Sequence, residues 1–101
     1  GVFCETQATA TEFLDTWNGS NAQEAVEAIN TKEGKMICVG GLVILEEVQR
    51  LEVVTKDNVM WQMVELKLFA LQMGGISVHF PTPMTHFTFI NVTKEDVGQA
   101  I

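Results

Sequence analysis

Basic residues are scarce in this chain. Six Lys and Arg stand against thirteen Asp and Glu, giving a net charge of −7. A phosphate backbone would be repelled, which excludes nucleic acid as an expected partner. An anionic membrane surface is disfavoured for the same reason. Charge of either sign is thin, at 19% of residues against 47% hydrophobic. Intrinsic disorder needs the opposite balance and is excluded. No run approaches the ~18 uninterrupted apolar residues of a membrane-spanning helix. The only cysteines are Cys4 and Cys38, enough for one disulfide and too few for a cysteine-built zinc site. Serine occurs only at Ser20 and Ser77, and no Gly-x-Ser-x-Gly, phosphate loop or dinucleotide fingerprint is present. Neither a cofactor nor a metal is expected.

The 101 residues make one domain. A chain of this size buries roughly two thirds of its unfolded surface, enough for a modest core. It begins at Gly1 without a basic segment followed by an apolar stretch. The expectation is that any targeting peptide has been removed or never existed. Charge is distributed unevenly. Residues 1–31 carry Glu5, Glu12, Asp15, Glu24 and Glu27 and no basic residue, whereas residues 58–93 carry only Glu65 and Lys67. The acidic third reads as a solvated helical face. The uncharged stretch should be core on one side and a subunit interface or ligand pocket on the other. A homo-oligomer formed through residues 58–92 is expected.

Residues 8–17 place Phe13, Leu14 and Trp17 on one helical face. Asn18 and Gly19 tolerate the left-handed cap and end that helix. Ser20 or Asn21 caps a second, antiparallel helix, with Glu24 three residues after Asn21 as in a capping box. Ala22, Ala25, Val26 and Ile29 make its buried stripe. Residues 35–39 read as a short buried strand broken by Gly40 and Gly41. Residues 42–51 read as a third helix with Ile44, Val48 and Leu51 inward. Residues 58–71 carry apolar side chains on both faces, so neither helical nor strand period wins. Composition favours helix, with Asp57 as its cap, while a central strand of a curved sheet would look the same. Residues 75–80 and 85–92 alternate on either side of Pro81 and Pro83, which lack a ladder donor and so are assigned to a hairpin turn. That turn would pair His79 with His86. It would put Ile76, Val78, Phe80, Phe87 and Phe89 on a core face and Ser77, His79, His86 and Thr88 on the other. Thr93 could open a last short helix to residue 101.

The facing pair His79 and His86 is the first candidate for chemistry, as a proton relay or part of a metal site. Two imidazoles fall short of a standard site, and ordinary surface histidines look the same. Glu65 is the lone carboxylate of an apolar run. If buried, it would be a plausible general base; if exposed, it is an ordinary surface residue. These three residues form the candidate catalytic set. Trp17, Trp61, Met63 and Phe89 form the candidate lining of a pocket for a small apolar ligand. Cys38 in an apolar strand would be inert as a free thiol, and with Cys4 it is the disulfide candidate. Asn18, Gly19 and Ser20, and again Asn91, Val92 and Thr93, fit the N-glycosylation pattern. A secreted protein would carry the disulfide and glycans, and a cytosolic one would keep its thiols reduced. Both readings stay open.

Residues 12–29, Glu-Phe-Leu-Asp-Thr-Trp-Asn-Gly-Ser-Asn-Ala-Gln-Glu-Ala-Val-Glu-Ala-Ile, resemble the opening helix pair of the nuclear transport factor two-like superfamily, which includes ketosteroid isomerase and polyketide cyclase-like proteins. Residues 41–51 are similar to its third helix, which follows a glycine. The resemblance implies that the later apolar segments form a curved sheet around a cone-shaped pocket, and it tips residues 58–71 towards strand. The chain is short for that fold and contains no tyrosine, so the family's catalytic aspartate and tyrosine pairs have no counterpart. Residues 30–41 are truncated, and no long strand follows Val92. The resulting expectation is an α+β fold, with N-terminal helices packed on a curved, mainly antiparallel sheet. The leading functional expectation is a small non-catalytic binding or assembly module. One alternative is an isomerase, cyclase or hydrolase using Glu65, His79 or His86. The other is a secreted, effector-like interaction protein stapled by Cys4 and Cys38.

Overall fold

The computed structural model describes residues 1–93. They form β1 (Val2–Cys4), α1 (Gln7–Thr16), α2 (Ala22–Glu33), β2 (Cys38–Gly40), β3 (Leu42–Lys56), β4 (Val59–Met73) and β5 (Ile76–Val92). The helix expected from Thr93 to residue 101 lies outside the described residues. The five strands make one sheet in the order β2-β1-β5-β4-β3, with every pairing antiparallel. The fold is α+β, with two N-terminal helices packed on a curved sheet that does not close.

Local chemistry fixes the helix ends. Thr6 Oγ1 accepts from the Thr9 N–H at 3.1 Å, and Thr9 Oγ1 accepts from the Thr6 N–H at 3.3 Å. Two donors at the start of α1 that lack helical partners are satisfied by this reciprocal box. Asn21 Oδ1 accepts from the Glu24 N–H at 3.1 Å and opens α2. Ala25, Val26 and Ile29 are the buried stripe of α2, as their spacing indicates. Asn30 then binds the chain that follows. Its Oδ1 accepts from the N–H groups of Ile37 at 3.0 Å and Cys38 at 2.9 Å, and its Nδ2 donates to Cys38 O at 2.9 Å.

One residue, Gly41, joins β2 to β3, although these strands are opposite edges of the sheet. Two residue steps span at most about 7 Å. Four strand spacings in a flat sheet would span about 19 Å. The sheet must therefore curl enough to bring the end of β2 near the start of β3 at this corner, where Gly41 adopts φ 155°. Side chains are sorted by that curl into two clusters. On the helix side, Ala10, Val26 and Ile29 pack on Cys4, Cys38 and Met63, with Phe13, Leu51, Phe87 and Phe89 around them. On the other face, Phe3 and Val39 near one edge meet Val64, Leu66, Leu68 and Leu71, with Val43 alongside. Complete burial of a side chain such as Ile29 or Met63 is worth about 2–3 kcal/mol.

Three sequence expectations are corrected here. Residues 42–51 are strand, not helix. β3 carries register shifts at Val48 and between Arg50 and Val53. An extra residue reverses a strand's alternation, so the apolar spacing of Ile44, Val48 and Leu51 imitates a helical stripe. Asp57 is a turn residue rather than a helix cap; the segment after it, which the resemblance tips towards strand, is indeed strand from Val59 on. Asp57 and Asn58 form the β3–β4 hairpin turn, at φ 53° and 64°. Both signs are what the two-residue primed turn requires. Finally, Pro81 and Pro83 do not make a hairpin. The β4–β5 turn is Gly74 and Gly75, at φ 52° and 84°. The ladder pairs Ala70 with His79 and then Leu68 with Met84, so residues 80–83 stand opposite the single residue Phe69. A wide bulge tolerates prolines because its backbone donors are not needed by the ladder. The same bulge splits the expected core face of this segment. Phe87 and Phe89 pack under the helices, while Ile76 and Val78 are exposed.

Candidate ligand-binding site

Trp17 follows α1 directly. Its N–H donates to Phe13 O at 2.8 Å, and its backbone then turns extended at φ −67° and ψ 124°. Phe13 stacks on it at 6.0 Å between ring centroids and 13° between planes. Trp61, the third residue of β4, meets Trp17 edge-on at 5.6 Å and 74°. Offset-stacked and edge-to-face geometries are those that aromatic quadrupoles favour. A lysine fixes the pair. Lys56 Nζ, just before the hairpin turn, donates to Leu14 O and to Trp17 O. These carbonyls lie at the end of α1, where the last oxygens have no helical donor and the macrodipole favours a cation.

The two tryptophans separate two hollows. One, of about 230 Å³, is lined by Trp17, Gly19, Lys56, Asp57, Val59 and Trp61. The other, of about 220 Å³, has an apolar lining that includes Phe13, Leu14, Trp17, Trp61 and Phe89. Trp17 Nε1 is buried and has no hydrogen-bond partner among the described residues. A buried donor without an acceptor is rare and costs the desolvation of the group.

Of the residues read from the sequence as pocket lining, Trp17, Trp61 and Phe89 meet at the second hollow. Met63 does not line it. Met63 pairs with Phe89 in the ladder but is fully buried beneath the helices. Phe13 and Lys56 were not anticipated. Phe13 was readable as a helical neighbour of Trp17, four residues away. Lys56 was readable only if Asp57 and Asn58 had been taken as a turn.

The candidate catalytic residues are not brought together. Glu65 lies on the helix side of the sheet, half-buried, and accepts from Gln49 Nε2 at 3.0 Å. His86 is buried on the opposite side, across from Leu66, with its Nδ1 3.4 Å from Met84 O. His79 is exposed near the far end of β5, across from Ala70. The two histidines lie along one strand rather than across a hairpin, so they do not face each other. No cluster of three or more His, Cys, Asp or Glu suited to a metal occurs among the described residues.

Cys4 and Cys38 form a disulfide. They are directly opposite in the β1–β2 ladder. The adjoining bond from Glu5 N–H to Ile37 O marks them as a non-hydrogen-bonded pair, the closer of the two antiparallel pair types. A broader hollow of about 560 Å³ near Gly40, Gly41, Gly74 and Gly75 is lined largely by glycine, with Gln23, Leu42 and Gln72 beside it. No helix among the described residues is long and apolar enough to cross a membrane. Comparison with family models, curated proteins and solved structures finds no match to this chain.

Proposed function

We propose that this chain is a small non-catalytic binding module whose ligand sits against the Trp17–Trp61 pair. Two observations support this reading: Trp17 and Trp61 line an apolar, aromatic-walled hollow, and the Nε1–H of Trp17 is buried without a partner among the described residues. Binding sites are typically apolar walls with a few placed polar groups. Here the placed group is a donor, so the ligand is apolar with one hydrogen-bond acceptor. Hollows of about 220–230 Å³ fall below the ~300 Å³ at which drug-sized pockets begin. The occupant is one ring or a short alkyl chain. The likeness of residues 12–29 to the nuclear transport factor two-like superfamily stays within this proposal as a statement about fold. An enzymatic role has less support, because Glu65, His79 and His86 do not converge on one point.

Acetophenone, apolar with one carbonyl acceptor, is the probe, and ethylbenzene is its acceptor-free control. In proton–nitrogen correlation spectra, acetophenone should move the indole N–H signal of Trp17 downfield, and ethylbenzene should bind more weakly without that shift. Trp61→Ala should weaken both. Indole signals that stay fixed up to the solubility limit of both probes would reject the site.

Self-association is a second reading, favoured by an apolar end of the molecule that is poor in charged side chains. Residues 68–93 hold no Asp, Glu, Lys or Arg. Leu42, Ile44 and Ile76 are exposed there at 73%, 62% and 67%. Two copies at −7 each repel, so a contact between them is cheapest across this charge-poor face. The free edge of β3 is a poorer contact, because its bulges and Glu46, Glu47, Arg50 and Glu52 oppose edge pairing. Sedimentation velocity should show a dimer that Ile44→Glu converts to monomer. A wild-type monomer at high concentration would rule this reading out.

A further inference from the structure

We propose that Asn18 is an N-glycan acceptor and that Asn91 is not, so that this chain matures in an oxidising secretory lumen. Both asparagines sit in the Asn-x-Ser/Thr pattern, but the fold treats them differently. Asn18 lies in the α1–α2 loop, where residues 18–20 are all exposed. Its Oδ1 accepts from the Ser20 N–H at 3.0 Å, from Ser20 Oγ at 2.7 Å and from the Asn21 N–H at 3.4 Å. This is an Asx turn, with the hydroxyl two residues on held against the side-chain amide. No hydrogen bond among the described residues occupies Asn18 Nδ2, the atom that would be modified. A glycan there projects from a loop into solvent.

Asn91 is held extended in β5, with Trp61 as its ladder partner and the buried Val92 next in the chain. Asn91 is exposed, but it lies within a paired strand and not in a loop. The Cys4–Cys38 bond is an independent observation. Structural disulfides form in oxidising compartments, which are also where N-glycans are added.

In the transfer, Asn18 Nδ2 forms an N-glycosidic bond to the anomeric carbon of an oligosaccharide carried on a lipid diphosphate. The anomeric C–O bond breaks, the lipid diphosphate leaves with the bonding pair, and one Nδ2 proton passes to base. Nothing is oxidised or reduced.

The test is to produce the full chain through a eukaryotic secretory pathway and measure its intact mass before and after peptide N-glycosidase treatment in heavy-oxygen water. The expected result is one glycan, with the heavy-oxygen label at residue 18 after its release. Asn18→Gln and Ser20→Ala should each abolish the glycan, and Asn91→Gln should leave it in place. A secreted chain without glycan, a label at residue 91, or two free thiols in the secreted product would overturn the proposal. Ser20→Ala keeps the Asn18 side chain, so its loss of glycan cannot be ascribed to a misfolded loop in Asn18→Gln. None of these outcomes depends on ligand binding at Trp17.

Discussion

Lys56 donates from Nζ to the carbonyl oxygen of Trp17 at 2.6 Å, tying the β3–β4 hairpin to the end of α1. The bond couples two parts of the chain, because Trp61 enters from the same hairpin and rests on Trp17. Loss of the cation should loosen the helix end and the aromatic pair together.

Lys56→Met, which keeps most of the aliphatic stem, should therefore destabilise the fold by about 1–2 kcal/mol, the range for a partly buried cation at a helix C-terminus. The tryptophan near-ultraviolet dichroism should weaken in the same variant. Urea unfolding measures the first effect. An unchanged aromatic spectrum would show that Lys56 does not position Trp17.

Asn30 supplies partners to the N–H and carbonyl of Cys38 and shares the Ile37 N–H with Lys35 O, which is 2.9 Å from that nitrogen. Asn30→Ala leaves two N–H groups and one carbonyl without that partner, and it should cost about 2–3 kcal/mol. Asn30→Asp should recover part of the loss, since a carboxylate still accepts from both N–H groups but sets negative charge against Cys38 O. Urea midpoints for the three proteins, read at unchanged slope, rank them. An aspartate variant less stable than the alanine variant would contradict this account.

The legible parts of the sequence were those where period and capping agree. The Ala25, Val26 and Ile29 stripe and the Asn21 cap describe α2 correctly, and Trp17, Trp61 and Phe89 do line one hollow. The illegible parts have two causes. Bulges at Val48, between Arg50 and Val53, and at Phe69 each reverse which face the following residues take. Alternation read across a bulge therefore assigns side chains to the wrong face. That is why β3 imitates a helix; the pairing of His79 with His86 comes instead from taking Pro81 and Pro83 as a hairpin turn. Pro81 and Pro83 looked like a hairpin turn because proline marks both turns and bulges. The actual turn, Gly74 and Gly75, carried an equally strong signal six residues before Pro81.

Lys32 Nζ and Glu12 Oε1 lie 2.8 Å apart and join α2 to α1. The hydrogen bond from Lys32 to Glu12, and then the attraction between their charges, raise the Lys32 pKa above its usual 10.5. A cation whose pKa is raised on folding contributes stability that is fully present below the unfolded value. That stability is lost as pH rises through the folded value. Lys32→Met should thus melt slightly below wild type at neutral pH, and the difference should vanish above the Lys32 titration. Salt should shrink the difference as well, because the pair is exposed. Melting temperatures at several pH values and two ionic strengths test both trends. A gap that persists at high pH would assign the effect to packing of the lysine stem.

The Cys4–Cys38 disulfide closes a loop with a sequence separation of 34, which holds α1 and α2. Closing a loop of that length constrains the unfolded chain by about 3–4 kcal/mol. The double variant Cys4→Ala, Cys38→Ala should lose roughly that amount, within the usual two- to threefold spread of such effects. The loss should appear mainly as an earlier denaturant midpoint. Both sulfurs belong to residues buried under the helices, so a reductant reaches them only when the β1–β2 ribbon opens. Reduction of the native protein should accordingly be slow and should accelerate in sub-denaturing urea, as followed by thiol labelling and mass. Fast reduction without denaturant would mean that this ribbon opens independently of the α1–α2 layer.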